Sequence, residues 1–88
     1  MKGSADDAFK LELKQLIIEE ADKDLDPASI GDDEGLFGPE TRLQLDSIDG
    51  LQISMALQMH YGVRITDPKA LVRIMASVNS LADHLRPD

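Results

Sequence analysis

Ser47 stands between two carboxylates in the stretch Leu45-Asp46-Ser47-Ile48-Asp49-Gly50-Leu51. Asp46 is placed to cap a helix by accepting a hydrogen bond from a first-turn backbone N–H, and Asp49, three residues on, occupies the acid position of a capping box. Such a turn presents the Ser47 hydroxyl outward at the positive end of a helix dipole, where free amides favour a phosphate ester. Ser and Asp are also ordinary helix starters, so the tetrad by itself requires no function. No His or Lys neighbours Ser47 in sequence to act as a base. The hydroxyl therefore reads as an acceptor of a group rather than as an unaided nucleophile.

Two other constellations invite chemistry and carry less of it. Asp22, Asp24, Asp26, Asp32, Asp33 and Glu34 offer clustered carboxylate oxygens of the kind a calcium ion prefers. The spacing is wrong for a calcium loop, because Pro27 stands where the sharp turn needs Gly and Asp33 stands where the loop needs Glu. His60 and His84 lie 24 residues apart with no third ligand in a motif, so they read as exposed helix histidines rather than as a metal pair.

Composition narrows the class. The 88 residues allow one small domain, 1–88, with a limited core. With no Cys, disulfides, thiolate metal sites and a Cys nucleophile are excluded. No apolar run approaches the roughly 20 residues of a membrane span, and the amino terminus lacks a signal-peptide core, so a soluble cytoplasmic monomer is expected. The net charge is −8, and Glu20 to Asp49 alone holds ten acids against Lys23 and Arg42. Nucleic acid is an unsuitable partner for such a surface, whereas basic patches on other proteins are suitable ones.

The elements that position Ser47 follow from periodicity. Phe9, Leu13, Leu16, Ile17 and Ala21 predict a helix over about 5–21, with Ser4 and Asp7 as its capping box and Leu11 and Ile18 off the main stripe. Pro27, Gly31, Gly35, Gly38 and Pro39 break the pattern over about 22–46, predicting an ordered loop anchored by Ile30, Leu36, Phe37, Leu43 and Leu45. Ile48, Leu51, Met55 and Met59, joined by Ile53, Ala56 and Leu57, predict a second helix over about 47–61, stopped at Gly62. Val63 to Thr66 has no partner strand and reads as loop. Asp67-Pro68 opens a short helix over about 67–71, and Leu71, Ile74, Val78, Leu81 and Leu85 predict a final helix over about 72–85. The expectation is an all-α antiparallel bundle of three main helices and one short one.

This order of elements, with the L-D-S-I-D turn opening the second helix and the Y-G stop at Tyr61-Gly62, resembles the acyl carrier protein family over nearly the whole chain. The family's D-S-L-D motif is matched by Asp46, Ser47, Ile48 and Asp49, followed by Leu51 and Ile53, with Gln52 in place of the usual acid. The resemblance implies 4′-phosphopantetheine attached to Ser47 by a phosphopantetheinyl transferase, and a carrier rather than an enzyme. It implies acyl-loading, ketosynthase and other acyl-processing enzymes of fatty-acid or polyketide biosynthesis as partners, recognising Asp46, Ile48, Asp49, Leu51 and Gln52. Met55, Met59 and Met75 read first as core filler, and under the resemblance as an adaptable lining for the acyl chain.

Gln52, Gln58, His60 and Arg64 depart from the acidic second helix of the fatty-acid type. The L-F-G-P run at Leu36 to Pro39 looks more like discrete carriers of polyketide-type clusters, including those that make aryl polyenes. Peptidyl or aminoacyl carriers share the arm, but their more usual G-G-[HD]-S approach to the serine is replaced here by Leu43-Gln44-Leu45-Asp46-Ser47. A helical interaction module with an unmodified Ser47 is the alternative from a different class.

Overall fold

The computed structural model describes residues 2–87. Its regular elements are four α-helices, α1 (Asp7–Ala21), α2 (Ser47–Tyr61), α3 (Pro68–Ile74) and α4 (Val78–Leu85), with 3-10 turns at Gly3–Ala5 and Pro27–Ser29. The protein is an all-helical bundle. Phe9, near the start of α1, stacks edge-on against Tyr61 at the end of α2, with ring centroids 5.7 Å apart. The amide of Gly3 donates to Arg86 O, so the beginning of the chain also meets the end of α4. Hence α1 runs antiparallel to both α2 and α4.

Helix α1 starts two residues later than its periodicity predicts. Ser4 is not its cap: Asp6 is, accepting from the amide of Phe9, while Ser4 sits in the preceding 3-10 turn and its amide donates to Asp83 Oδ1 at 3.0 Å. The terminus is thus held by a long-range contact that local spacing does not announce. Phe9, Leu13 and Ile17 face the core as their spacing requires. Ile18 is also buried, which widens that face, whereas Leu11 remains exposed.

The predicted final helix is in fact divided. Helix α3 continues past Leu71 to Ile74, the chain bends over 75–77, and Ser77 caps α4 by accepting from the Ser80 amide. The bend lets Leu71, Met75, Val78 and Leu81 all reach one core. Helix α2 has the predicted limits, and Gly62 ends it with φ of +70°, a left-handed conformation that favours glycine.

The long connection is ordered, as its apolar residues require. Ile30, Leu36, Leu43 and Leu45 are buried, and Phe37 pairs with Leu45 in an isolated bridge. Gln44 between them has φ of +48°, a left-handed turn that costs a non-glycine residue about 1–2 kcal/mol. Leu43 and Leu45 on either side of it are both buried. Most of the interior acids are engaged. Asp32 accepts from Lys10 and Lys14, both at 2.8 Å, and these bonds hold its carboxyl below the ordinary range. Its backbone oxygen accepts from the Asn79 amide, so one turn ties α1 to α4.

Glu34 is the second clamp. Arg42 donates to both of its oxygens, at 2.8 Å and 2.7 Å, and the Gly31 amide adds a third bond at 2.9 Å. These bonds, Arg42 first, lower the Glu34 pKa from 4.5 to about 2. A depressed carboxylate contributes stability that is complete above its unfolded value and is lost as pH falls through its folded value. Thermal melting followed by circular dichroism between pH 4.5 and about 2 should therefore show a smaller loss of Tm for Glu34→Gln than for the wild type; equal slopes would show that the clamp does not act.

Candidate functional site

Ser47 is the first residue of α2 and is exposed. The turn that presents it is a complete capping box. The Asp49 amide donates to Asp46 Oδ1 at 2.9 Å, and the Asp46 amide donates to Asp49 Oδ2 at 3.3 Å. Both carboxylates are thereby turned back onto the backbone. In a first helical turn the amides have no acceptor four residues earlier, so those of Ser47 and Ile48 are left without an intrahelical partner beside the hydroxyl. Asp46, Ile48, Leu51 and Gln52 are exposed around Ser47, and Asp49 is half-buried by its bond to the cap. Leu45, one residue before the cap, is buried and anchors the approach to Ser47.

Next to Ser47 opens a cleft of about 280 Å³, lined by Phe37, Ser47, Leu51, Pro68, Leu71 and Val72. Its walls come from the long connection, from α2 and from α3. Apart from Ser47, every side chain that lines it is apolar, and none is an acid or a base. The cleft is therefore suited to an uncharged, apolar occupant, and offers no group to abstract the Ser47 proton.

Gly50 packs closely against two of the residues that line this cleft. A Cβ there would lie 3.0 Å from Leu71 Cδ2 and 3.3 Å from the Phe37 ring. Sequence reading passed over Gly50 as a site residue. The available signal was a glycine inside a helical pattern, where it costs about 1 kcal/mol relative to Ala and so invites a packing reason.

The methionines separate. Met75 is fully buried and is core filler, but Met55 and Met59 are exposed and face away from the core. The core-filler reading is therefore corrected for Met55 and Met59, and neither lines the cleft beside Ser47. Helix α2 has two apolar sets, and periodicity alone does not say which of them the bundle covers. The acids of the supposed calcium loop are distributed among separate tasks: Asp26 caps the Pro27–Ser29 turn, Asp32 binds two lysines, and Asp33 accepts from Asn79 Nδ2 at 2.7 Å. Among the described residues no group of three or more His, Cys, Asp or Glu is placed to hold a metal ion.

The chain matches no family model, no curated protein and no solved structure. No helix among the described residues is long and apolar enough to cross a membrane.

A larger side chain at Gly50 should test the packing of the cleft. Gly50→Val forces a branched side chain against Leu71 and Phe37, and overpacking of this kind costs about 1–3 kcal/mol. Urea denaturation should show that loss. An unchanged midpoint would mean that Leu71 and Phe37 yield freely and that the cleft has no fixed width.

Proposed function

We propose that the chain is a discrete acyl carrier protein, modified with 4′-phosphopantetheine on Ser47 and serving fatty-acid or polyketide-type biosynthesis as a cytoplasmic monomer. The observation that carries this reading is an exposed hydroxyl at the first position of a capped helix, opening beside an apolar cleft that holds no base. It supports the assignment together with the Asp46-Ser47-Ile48-Asp49 motif and the order of helices.

The residues fit such a group at both ends. Ser47 offers its oxygen clear of the core, and the unpartnered amides of the first turn and the helix dipole favour a phosphodiester anion. The capping box keeps the Asp46 and Asp49 carboxylates occupied with backbone amides. The cleft offers apolar walls to an acyl group. When attached, the arm supplies a terminal thiol that holds an acyl group as a thioester.

Loading requires outside help. The Ser47 oxygen forms the new bond to the phosphorus of coenzyme A, the nucleotide half departs with the broken phosphoanhydride bond, and the hydroxyl proton goes to a base on the transferase. No side chain lining the cleft is placed to take that proton. The chain is thus substrate and carrier, with catalysis supplied by its partners.

The exposed apolar face of α2 also suits a plain interaction module, and Ser47 separates the two readings. Incubation with coenzyme A, magnesium and a broad-specificity phosphopantetheinyl transferase should add one phosphopantetheine mass in intact-protein mass spectrometry. Ser47→Ala should add none while losing less than about 1 kcal/mol of stability, because Asp46 and not Ser47 caps the helix. Well-folded wild-type protein that stays unmodified would defeat the carrier reading.

A further inference from the structure

The chain contains no cysteine, so methionine is its only side chain with reversible two-electron sulfur chemistry. Three of the four methionines lie among the described residues, and the fold treats them unequally. Met75 is 0% exposed in the core, whereas Met55 and Met59 are 60% and 84% exposed on α2. A hydroperoxide reaches a thioether readily only where the sulfur meets solvent. Exposure therefore divides one residue type into two reactive members and one protected one.

Met55 and Met59 are four residues apart on α2 and so share a face. They line one groove of about 490 Å³ together with Glu20, Gln52, Ala56 and His60. A sulfoxide oxygen is a strong acceptor, and the Gln52 amide and the His60 ring N–H are donors in the same groove. The groove has room and partners for both oxidised side chains. The opposite face of α2 buries Gly50, Ile53, Ala56 and Leu57 and neither of these methionines, so oxidation changes the surface and spares the core. At Met75 the same reaction would set a polar, chiral group among buried apolar side chains.

We infer that Met55 and Met59 form a reversible oxidation site through which hydroperoxides turn down the loading of Ser47. The thioether sulfur attacks one peroxide oxygen and forms an S–O bond while the O–O bond breaks. The departing hydroxide takes the proton left on the transferred oxygen and leaves as water, so sulfur loses the two electrons that the peroxide gains. A dithiol reductase reverses the change, removing the oxygen as water while its two thiols become a disulfide. The consequence for Ser47 rests on the carrier reading. At about 1.5 Å of rise per residue, Met55 lies about 12 Å and Met59 about 18 Å along α2 from Ser47. An enzyme that covers about 800 Å² around Ser47 extends about 16 Å from it, which takes in Met55 and the border of Met59. Two new polar oxygens there must lose their hydration at each encounter, and loading slows.

The test treats the full chain with hydrogen peroxide and removes the peroxide by desalting. The sample is then divided between peptide-mapping mass spectrometry and loading by a broad-specificity phosphopantetheinyl transferase with coenzyme A. Met55 and Met59 should each gain one oxygen while Met75 gains none, and the Tm should stay within about 2 °C of the untreated protein. The initial loading rate should fall about fivefold and return after treatment with methionine sulfoxide reductases for both sulfoxide epimers. Met55→Leu combined with Met59→Leu should load at one rate before and after peroxide, which separates these two sulfurs from Met1. Oxidation of Met75 as fast as Met55 would overturn the inference, as would an unchanged loading rate in the fully oxidised chain. A peroxide effect that persists in the double leucine variant would place the sensitivity elsewhere and overturn it as well. Untreated wild-type protein that accepts no phosphopantetheine defeats the carrier reading by itself, and the control of loading falls with it, whatever the oxidation pattern.

Discussion

Leu36, Leu43 and Leu45 are buried in a segment that has almost no regular structure, and the position of Ser47 depends on that burial. Ordering a connection of this length costs backbone entropy at every residue, and the burial of its leucines opposes that cost. Each buried leucine returns about 1.5–3 kcal/mol, and the Phe37–Leu45 bridge holds the two ends of the Leu36–Leu45 segment together. The left-handed Gln44 adds a local conformational cost between two buried leucines. Because Leu45 is anchored, Asp46 has little freedom. The cap, the first turn of α2 and the direction of the Ser47 hydroxyl follow from it.

The acidic character of the connection has mainly an internal use. A net charge of −8 suggests a surface built to attract basic partners, yet the strongest carboxylate contacts lie within the fold. Asp32 joins α1 to the α4 side through two lysines and a backbone bond, and Glu34 closes the loop on Arg42. Asp46 and Asp49 are engaged with each other's amides. Asp32 and Glu34 contribute to order more than to long-range attraction, since a carboxylate already paired with a cation has a weakened outward field. What the site turns toward solvent is mostly uncharged.

Local chemistry made the site legible and long-range packing hid the rest. The Asp46–Asp49 box and the Gly62 stop are sequence-adjacent devices, so α2 and Ser47 could be placed from the residues alone. The start of α1 was misread because Ser4 and Asp7 have capping-box spacing, whereas contacts from Asp83 and Arg86 pull residues 3–5 into a 3-10 turn. The break between α3 and α4 carried a signal in Ser77, but an unbroken apolar stripe across it outweighed that signal. Periodicity reports which residues share a face, and it is silent on whether that face is covered. For this reason Met75 and Met55, alike in the sequence, ended on opposite sides of the protein surface.

That silence is most consequential in α2, which carries apolar residues on two opposite faces. A bundle with three main helices covers such a helix on its core side and, through α3, partly along one flank. The core takes Ile53, Ala56 and Leu57, the cleft takes part of Leu51, and Ile48, Met55 and Met59 are left in water. A solubility constraint acting alone would place polar residues there, as it does at the exposed Glu12, Glu19 and Glu20 of α1. Retaining three apolar side chains on the outer pole of α2 brings no stability to the isolated fold, because burying them requires a surface the chain does not contain. The helix that carries Ser47 is thus covered on one side by its own core and open on the other to solvent.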